Sequence, residues 1–128
     1  MTDPLRGTAL IVGAGSGLST SLARLFAAEG MEVALAARSI GDLAALCQDT
    51  GAQAFACDAA RPADVEALFS ALDAKSGAPE VVVYNASYRT RGDFIDLDPA
   101  EVANTLAVSA YGGFLVAQAA ARRMLPKR

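Results

Sequence analysis

The sequence predicts an α/β protein built on a doubly wound parallel sheet, and three observations carry that prediction. Short apolar runs rich in Val, Ile and Ala recur at residues 8–12, 32–37, 53–57 and 81–84. They are continuous rather than alternating, as strands buried on both faces of a parallel sheet must be. Segments with helical spacing of apolar residues lie between them, so each connection is a crossover helix, and successive right-handed crossovers wind helices onto both faces.

The elements follow in order. The first strand runs into Gly13-Ala14-Gly15-Ser16-Gly17-Leu18-Ser19 and then a helix with Leu18, Leu22, Leu25 and Phe26 on one face. Gly30, Gly51 and Gly77 each precede a strand, where a helix end favours a residue tolerant of the left-handed conformation. Ser39 with Asp42, and Asp98 with Pro99 and Glu101, have the spacing of first-turn caps, which predicts helices starting near Ile40 and Pro99. Val65, Leu68, Phe69 and Leu72 mark a third helical face. Residues 99–124 are nearly all helix formers, with Gly112 and Gly113 expected to weaken or bend the helix midway. No linker or low-complexity stretch divides the chain, so residues 1–128 are read as one domain.

Composition narrows the function. Of 128 residues 53% are hydrophobic and 20% charged, the net charge is −3, and the mean hydropathy is +0.31. Those values describe a soluble globular domain able to bury a core without disulfides or metal. A mild negative charge offers no field for a nucleic acid backbone. Arg122, Arg123, Lys127 and Arg128 gather near the end, as cations do at a helix C-terminus. No apolar run approaches the roughly 18 residues of a membrane span, and Asp3 and Pro4 interrupt the start where a signal peptide is basic then apolar, so a cytoplasmic location is expected. Cys47 and Cys57 are isolated thiols in apolar surroundings and read as core residues. Histidine is absent, which removes histidine-based triads and the commonest zinc ligand; no metal site is expected.

Ligands of doubly wound sheets bind beyond the carboxyl ends of the strands, so the residues following each strand are the candidates. Gly13, Gly15, Ser16, Gly17 and Leu18 form a glycine turn opening a helix, where the backbone can approach a phosphate closely and free amides with a positive dipole meet it. Arg38 and Ser39 follow the second strand, at the point where dinucleotide folds meet the adenosine ribose; a guanidinium with Ala37 before it favours a 2′-phosphate, hence NADP(H) over NAD(H), unless Arg38 is only a solvated helix start. Asp58 and Ala59 follow the third strand, Asp58 serving either an adenine amino group or an Asx turn before Pro62. Asn85, Ala86 and Ser87 follow the fourth, where a short amide can bridge strand ends or simply make a turn. The loop at residues 88–96, with Arg89 and Arg91, is either a solvated surface loop or the border of a substrate pocket.

With these residues in view, the chain resembles the short-chain dehydrogenase/reductase family over its whole length. The family's Gly-x-x-x-Gly-x-Gly is similar to residues 13–19 with Ser19 in place of the last glycine, its Asp after the third strand matches Asp58, and its Asn-Ala-Gly resembles Asn85-Ala86-Ser87. Val108, Ser109, Phe114, Ala117 and Gln118 resemble its long helix, where an active-site Asn stands at the position of Ser109. The resemblance implies a Rossmann-like sheet in strand order 3-2-1-4 and hydride transfer between NADP(H) and a small carbonyl or alcohol substrate. The family's Tyr-x-x-x-Lys, whose lysine tunes the tyrosine as a general acid or base, has no counterpart, because Tyr84, Tyr88 and Tyr111 are followed four positions on by Tyr88, Gly92 and Leu115. The expectation is therefore the cofactor-binding portion of an oxidoreductase, inactive by itself, with no catalytic residue in the 128; the alternative is a noncatalytic dinucleotide-binding or interaction module. A homo-oligomer, or a further segment covering the fourth strand and the face at residues 113–121, is the expected partner.

Overall fold

A computed structural model describes residues 6–127. Met1–Leu5, with Asp3 and Pro4, and Arg128 of the basic cluster lie outside the described residues. The strands are β1 (Thr8–Val12), β2 (Glu32–Ala37), β3 (Gln53–Ala56) and β4 (Val81–Tyr84); the helices are α1 (Leu18–Ala28), α2 (Ala44–Thr50), α3 (Pro62–Lys75), α4 (Pro99–Leu106) and α5 (Gly112–Met124). All strand pairs are parallel, in the order β3-β2-β1-β4. Thr8 pairs with Glu32 and Val12 with Ala36 on one side of β1, and Val12 with Tyr84 on the other.

Pleating sends alternate residues to opposite faces and gives two cores. Leu10, Val12, Ala34 and Ala36 meet Val65, Leu68, Phe69 and Leu72 of α3 and Val116, Ala119 and Ala120 of α5. Ile11, Val33 and Leu35 meet Ala23 of α1 and Leu46 of α2. Cys57 belongs to the first core and Cys47 packs against the second, as unpaired thiols. Arg122 and Arg123 stand in the last turn of α5, and Arg123 pairs with Asp73 at 3.0 Å while its guanidinium lies over the Phe69 ring, 5.1 Å from its centroid. No described helix is long and apolar enough to cross a membrane.

Four expectations are corrected. The third strand ends at Ala56 rather than at residue 57, because the Asx turn of Asp58 redirects the chain. The buried face of α1 is Ser19 and Ala23, with Leu22 and Phe26 beside them, whereas Leu18 and Leu25 are exposed; small side chains let the helix approach the sheet and large ones at those two positions cannot follow. Ser39 does not cap α2, since a 3₁₀ turn at Gly41–Leu43 precedes it and has no side-chain cap, while Asp98 does cap α4 by accepting from the Ala100 amide. The long helix runs on through its glycines, and its irregularity is a π turn at Ala107–Tyr111, closed where the Gly112 amide reaches the Ala107 carbonyl. Gly112 has a packing reason instead: a Cβ there would lie 2.4 Å from the Tyr84 hydroxyl and 3.0 Å from the Ala59 carbonyl oxygen. Gly30, Gly51 and Gly77 all take positive φ, as expected.

Candidate functional site

The carboxyl ends of the strands converge on a cleft of about 220 Å³. Gly13, Arg38, Asp58, Ala59, Asn85, Ala86 and Ser87 line it, together with Val12, Ala14, Ala37, Cys57 and Val108. Gly15, Ser16, Gly17, Leu18 and Ser39 lie outside its lining, with Ser16, Gly17, Leu18 and Ser39 exposed. The volume is below the roughly 300–1,000 Å³ of closed small-molecule pockets, so a larger ligand would lie across an open groove.

The three glycines differ. Gly13, at φ +88°, passes so close to the end of β4 that a Cβ would sit 2.2 Å from the Ala86 nitrogen, and its amide and that of Ala14 both donate to the Ala36 carbonyl. Gly17 also has positive φ, and Gly15 does not; beside both, the space a Cβ would occupy is open. Gly17 caps α1 without a side-chain bond, and the first turn holds no acidic residue, so the dipole at that helix start is unopposed from within the helix.

Ser19, the residue that departs from the family's glycine, is fully buried; its hydroxyl donates to the Gly13 carbonyl at 3.3 Å and accepts from the Asn85 side-chain amide at 2.8 Å. It thereby ties the glycine turn to the end of β4. The Thr20 hydroxyl donates to the Gly15 carbonyl at 2.8 Å and braces the same turn from the other side. Arg38 is exposed and makes no hydrogen bond or ion pair among the described residues. One Asp58 carboxylate oxygen accepts from the Ala60 amide at 3.0 Å, the Asx turn, and the Asp58 amide donates to Asp64 at 2.9 Å; the second carboxylate oxygen has no hydrogen-bond partner among the described residues. Burial, followed by the charges of Asp64 and Asp58, pushes the Cys57 thiol up to about 11, which leaves it an inert part of the wall.

Ser109 keeps a backbone link despite being shorter than an asparagine: its hydroxyl donates to the Tyr88 carbonyl at 3.1 Å and accepts from the Tyr88 amide at 3.2 Å. The Tyr88 hydroxyl is bonded to Glu101 of α4, and that bond raises its pKa, with the Arg38 charge acting in the opposite sense. Sequence reasoning missed Tyr84, whose hydroxyl donates to the Val108 carbonyl; the signal available was a phenol at a strand end facing a glycine pair in a helix. Among the described residues no group of His, Cys, Asp and Glu has the arrangement of a metal site.

Comparison with known proteins agrees with this architecture. Residues 13–128 match the family model described as enoyl-(acyl carrier protein) reductase. D-threitol dehydrogenase of Mycolicibacterium smegmatis is 36% identical over 122 residues, covering 91% of this chain and 47% of that protein. Galactitol 2-dehydrogenase (L-tagatose-forming) of Cereibacter sphaeroides is 31% identical, covering 93% of this chain and 48% of that protein. The crystal structure of F189W actinorhodin polyketide ketoreductase with NADPH superposes with a TM-score of 0.89 at 25% identity, covering 99% of this chain and 51% of that one. The fold and its strand-end cleft define a doubly wound α/β protein of the Rossmann type. The chain belongs to the short-chain dehydrogenase/reductase family. It spans about half the length of these relatives.

Proposed function

We propose that residues 1–128 form the dinucleotide-binding domain of an NADP(H)-dependent oxidoreductase acting between a small carbonyl and its alcohol. The nicotinamide, when bound, gives or takes the hydride; the residues of this chain bind and orient the cofactor. Gly13, Gly15 and Gly17, with Ser16, Leu18 and the start of α1, receive the pyrophosphate, since open space beside Gly15 and Gly17 and an uncapped helix start suit an anion. Asp58 offers its free oxygen to the adenine amino group beside Ala59, and Asn85, Ala86 and Ser87 flank the nicotinamide ribose. The observation that carries the cofactor preference is Arg38, with Ser39 after it: a guanidinium at the end of β2, in the cleft, without a carboxylate partner among the described residues. The relatives named as polyol dehydrogenases support the carbonyl/alcohol class. The net charge of −3 gives no part to nucleic acid, and cytoplasmic work as a homo-oligomer fits the reading. A noncatalytic binding module is the second reading, favoured by Ser19, Ser87 and Ser109 standing where the family has glycine, glycine and asparagine.

Fluorescence titration with NADPH and NADH tests the proposal. A charge-assisted phosphate contact is worth about 1.5–3 kcal/mol, so NADPH should bind roughly ten- to a hundredfold more tightly, and Arg38→Asp should invert the order. Equal affinities unmoved by that substitution would sink the NADP(H) assignment.

A further inference from the structure

We infer that Tyr84 is a positioning residue: its hydroxyl holds the Val108 carbonyl and so fixes the π turn from which Ser109 grips the backbone of Tyr88, setting one wall of the cleft. Its consequence for the cofactor rests on the dinucleotide-binding reading; the mechanical link does not.

The chain of contacts starts in the sheet. Tyr84 is the last residue of β4 and is placed by its pairing with Val12 of β1. From there its hydroxyl reaches across to donate to the carbonyl of Val108, inside the π turn at Ala107–Tyr111. Gly112 permits the approach, because a Cβ at that position would lie 2.4 Å from the hydroxyl oxygen. Burial, then the nearby Asp58 and Cys57, raises the pKa of this phenol, so it remains a donor. Two side chains then carry the placement outward. Ser109, next in the turn, holds the Tyr88 backbone at both its amide and its carbonyl, and the Tyr88 ring is tied to Glu101. Asn85, Ala86 and Ser87, the cleft residues after β4, are thus bounded by Tyr84 on one side and by Tyr88 on the other.

A π turn inserts a residue that a regular helix has no use for, and it persists only where outside contacts hold it. The Tyr84 hydroxyl is such a contact, coming from the sheet rather than from the helix itself.

Hydrogen exchange on the full chain without ligand reads the link directly. In Tyr84→Phe the ring stays and one neutral hydrogen bond goes, so the Tyr88 amide and the amides of residues 107–112 should exchange about two- to tenfold faster, while those of β1 and β2 keep their wild-type rates. Ser109→Ala, at an exposed position and independent of any risk that the first variant unfolds, should speed the Tyr88 amide similarly. The double variant should add little, because the two groups act in series. Gly112→Ala should destabilise the wild type more than it destabilises Tyr84→Phe, which lacks the clashing oxygen. NADPH affinity in Tyr84→Phe should fall about two- to tenfold. A purely structural tyrosine would instead speed exchange throughout the sheet, or leave the Tyr88 amide unchanged, and either result overturns the link. Fully additive effects of the two substitutions overturn it as well. Faster exchange with unaltered NADPH affinity removes the claim about the cleft wall, whereas a wild-type chain that binds no dinucleotide refutes the cofactor reading and leaves the exchange result to decide the link.

Discussion

Alanine placed in turn at Gly13, Gly15 and Gly17 should give three different results from one glycine turn. At Gly13 the φ of +88° is a conformation that costs an L-residue about 1–2 kcal/mol. The added Cβ would also meet the Ala86 nitrogen at 2.2 Å and its Cα at 2.4 Å. That backbone cannot retreat freely, because the Asn85 amide donates to the Val12 carbonyl at 2.8 Å and the Gly13 amide to Ala36 at 2.8 Å. Forcing atoms into so packed a site costs a further 1–3 kcal/mol or so, for a total near 3 kcal/mol or more. For a chain of this length each kcal/mol lowers the melting temperature by about 4 °C, so Gly13→Ala should lose on the order of 10 °C. Gly17→Ala carries only backbone strain, at φ +76° and ψ −125°, worth about 1–3 kcal/mol, with open space around the methyl, and should lose about 4–12 °C. Gly15→Ala has neither penalty and should stay within about 0.5 kcal/mol of wild type. On the proposed dinucleotide-binding role, binding should rank differently, since a methyl at Gly15 or Gly17 would occupy the space assigned there to the pyrophosphate and should weaken NADPH roughly tenfold. Urea denaturation and dinucleotide titration of the three variants separate the two orders. Gly15→Ala as unstable as Gly13→Ala, or Gly15→Ala with wild-type affinity, would refute the division of roles.

Four further outcomes are expected. Cys57 is 4% exposed and burial pushes its thiol up to about 11, so iodoacetamide should label Cys47 and spare Cys57 in the native protein. The folded state holds a thiol proton that the unfolded state releases, so the corresponding stability is complete below pH 9 and is lost as pH rises towards 11, which alkaline urea titrations of wild type and Cys57→Ala would compare. Hydride transfer to any carbonyl should be undetectable with the 128-residue chain, since it has neither Tyr-x-x-x-Lys nor histidine; turnover by a preparation of verified intact mass would show that another group moves the proton. Light scattering should find the chain oligomeric or aggregated, because β4 borders the sheet and the apolar groove between Val82, Tyr84, Val116 and Ala120 lies open beside it; a cooperatively folding monomer would contradict that.

The parts of this fold that sequence revealed are those with one physical solution. β1, β2 and β4 have the bounds that their apolar runs define, because short runs bounded by glycine and turn residues suit strands of a parallel sheet; β1 is fully buried and β4 half-buried. Their topology in turn places residues 13, 38, 58 and 85 at one end of the sheet, so strand-end candidates converge on one cleft although they are distant in sequence. What spacing cannot convey is how closely two elements approach. Counting leucines put Leu18 and Leu25 on the buried face of α1, whereas contact with the sheet is set by Ser19 and Ala23, residues a hydrophobic count passes over. The same blindness applies to the Gly112 and Gly113 pair, which reads as a weak helix until Tyr84 is seen opposite it.

Side-chain bonds across long separations are the other hidden layer, and Ser19 is the clearest instance. Taken alone, a hydroxymethyl in place of the family's glycine crowds a tight junction between helix and strand. In the folded chain it accepts from Asn85, 66 residues away, and donates to Gly13, so the glycine turn and the end of β4 are fastened to each other. A buried hydroxyl satisfied in both senses adds to stability rather than subtracting from it. Ser109 obeys the same logic, where a side chain shorter than the family's asparagine bonds both polar atoms of the Tyr88 backbone. Both departures add a hydrogen-bond bridge to a residue of the cleft lining or its neighbour: Ser19 holds Gly13 and Asn85, and Ser109 holds Tyr88, next to Ser87. The altered positions therefore support the cleft's shape.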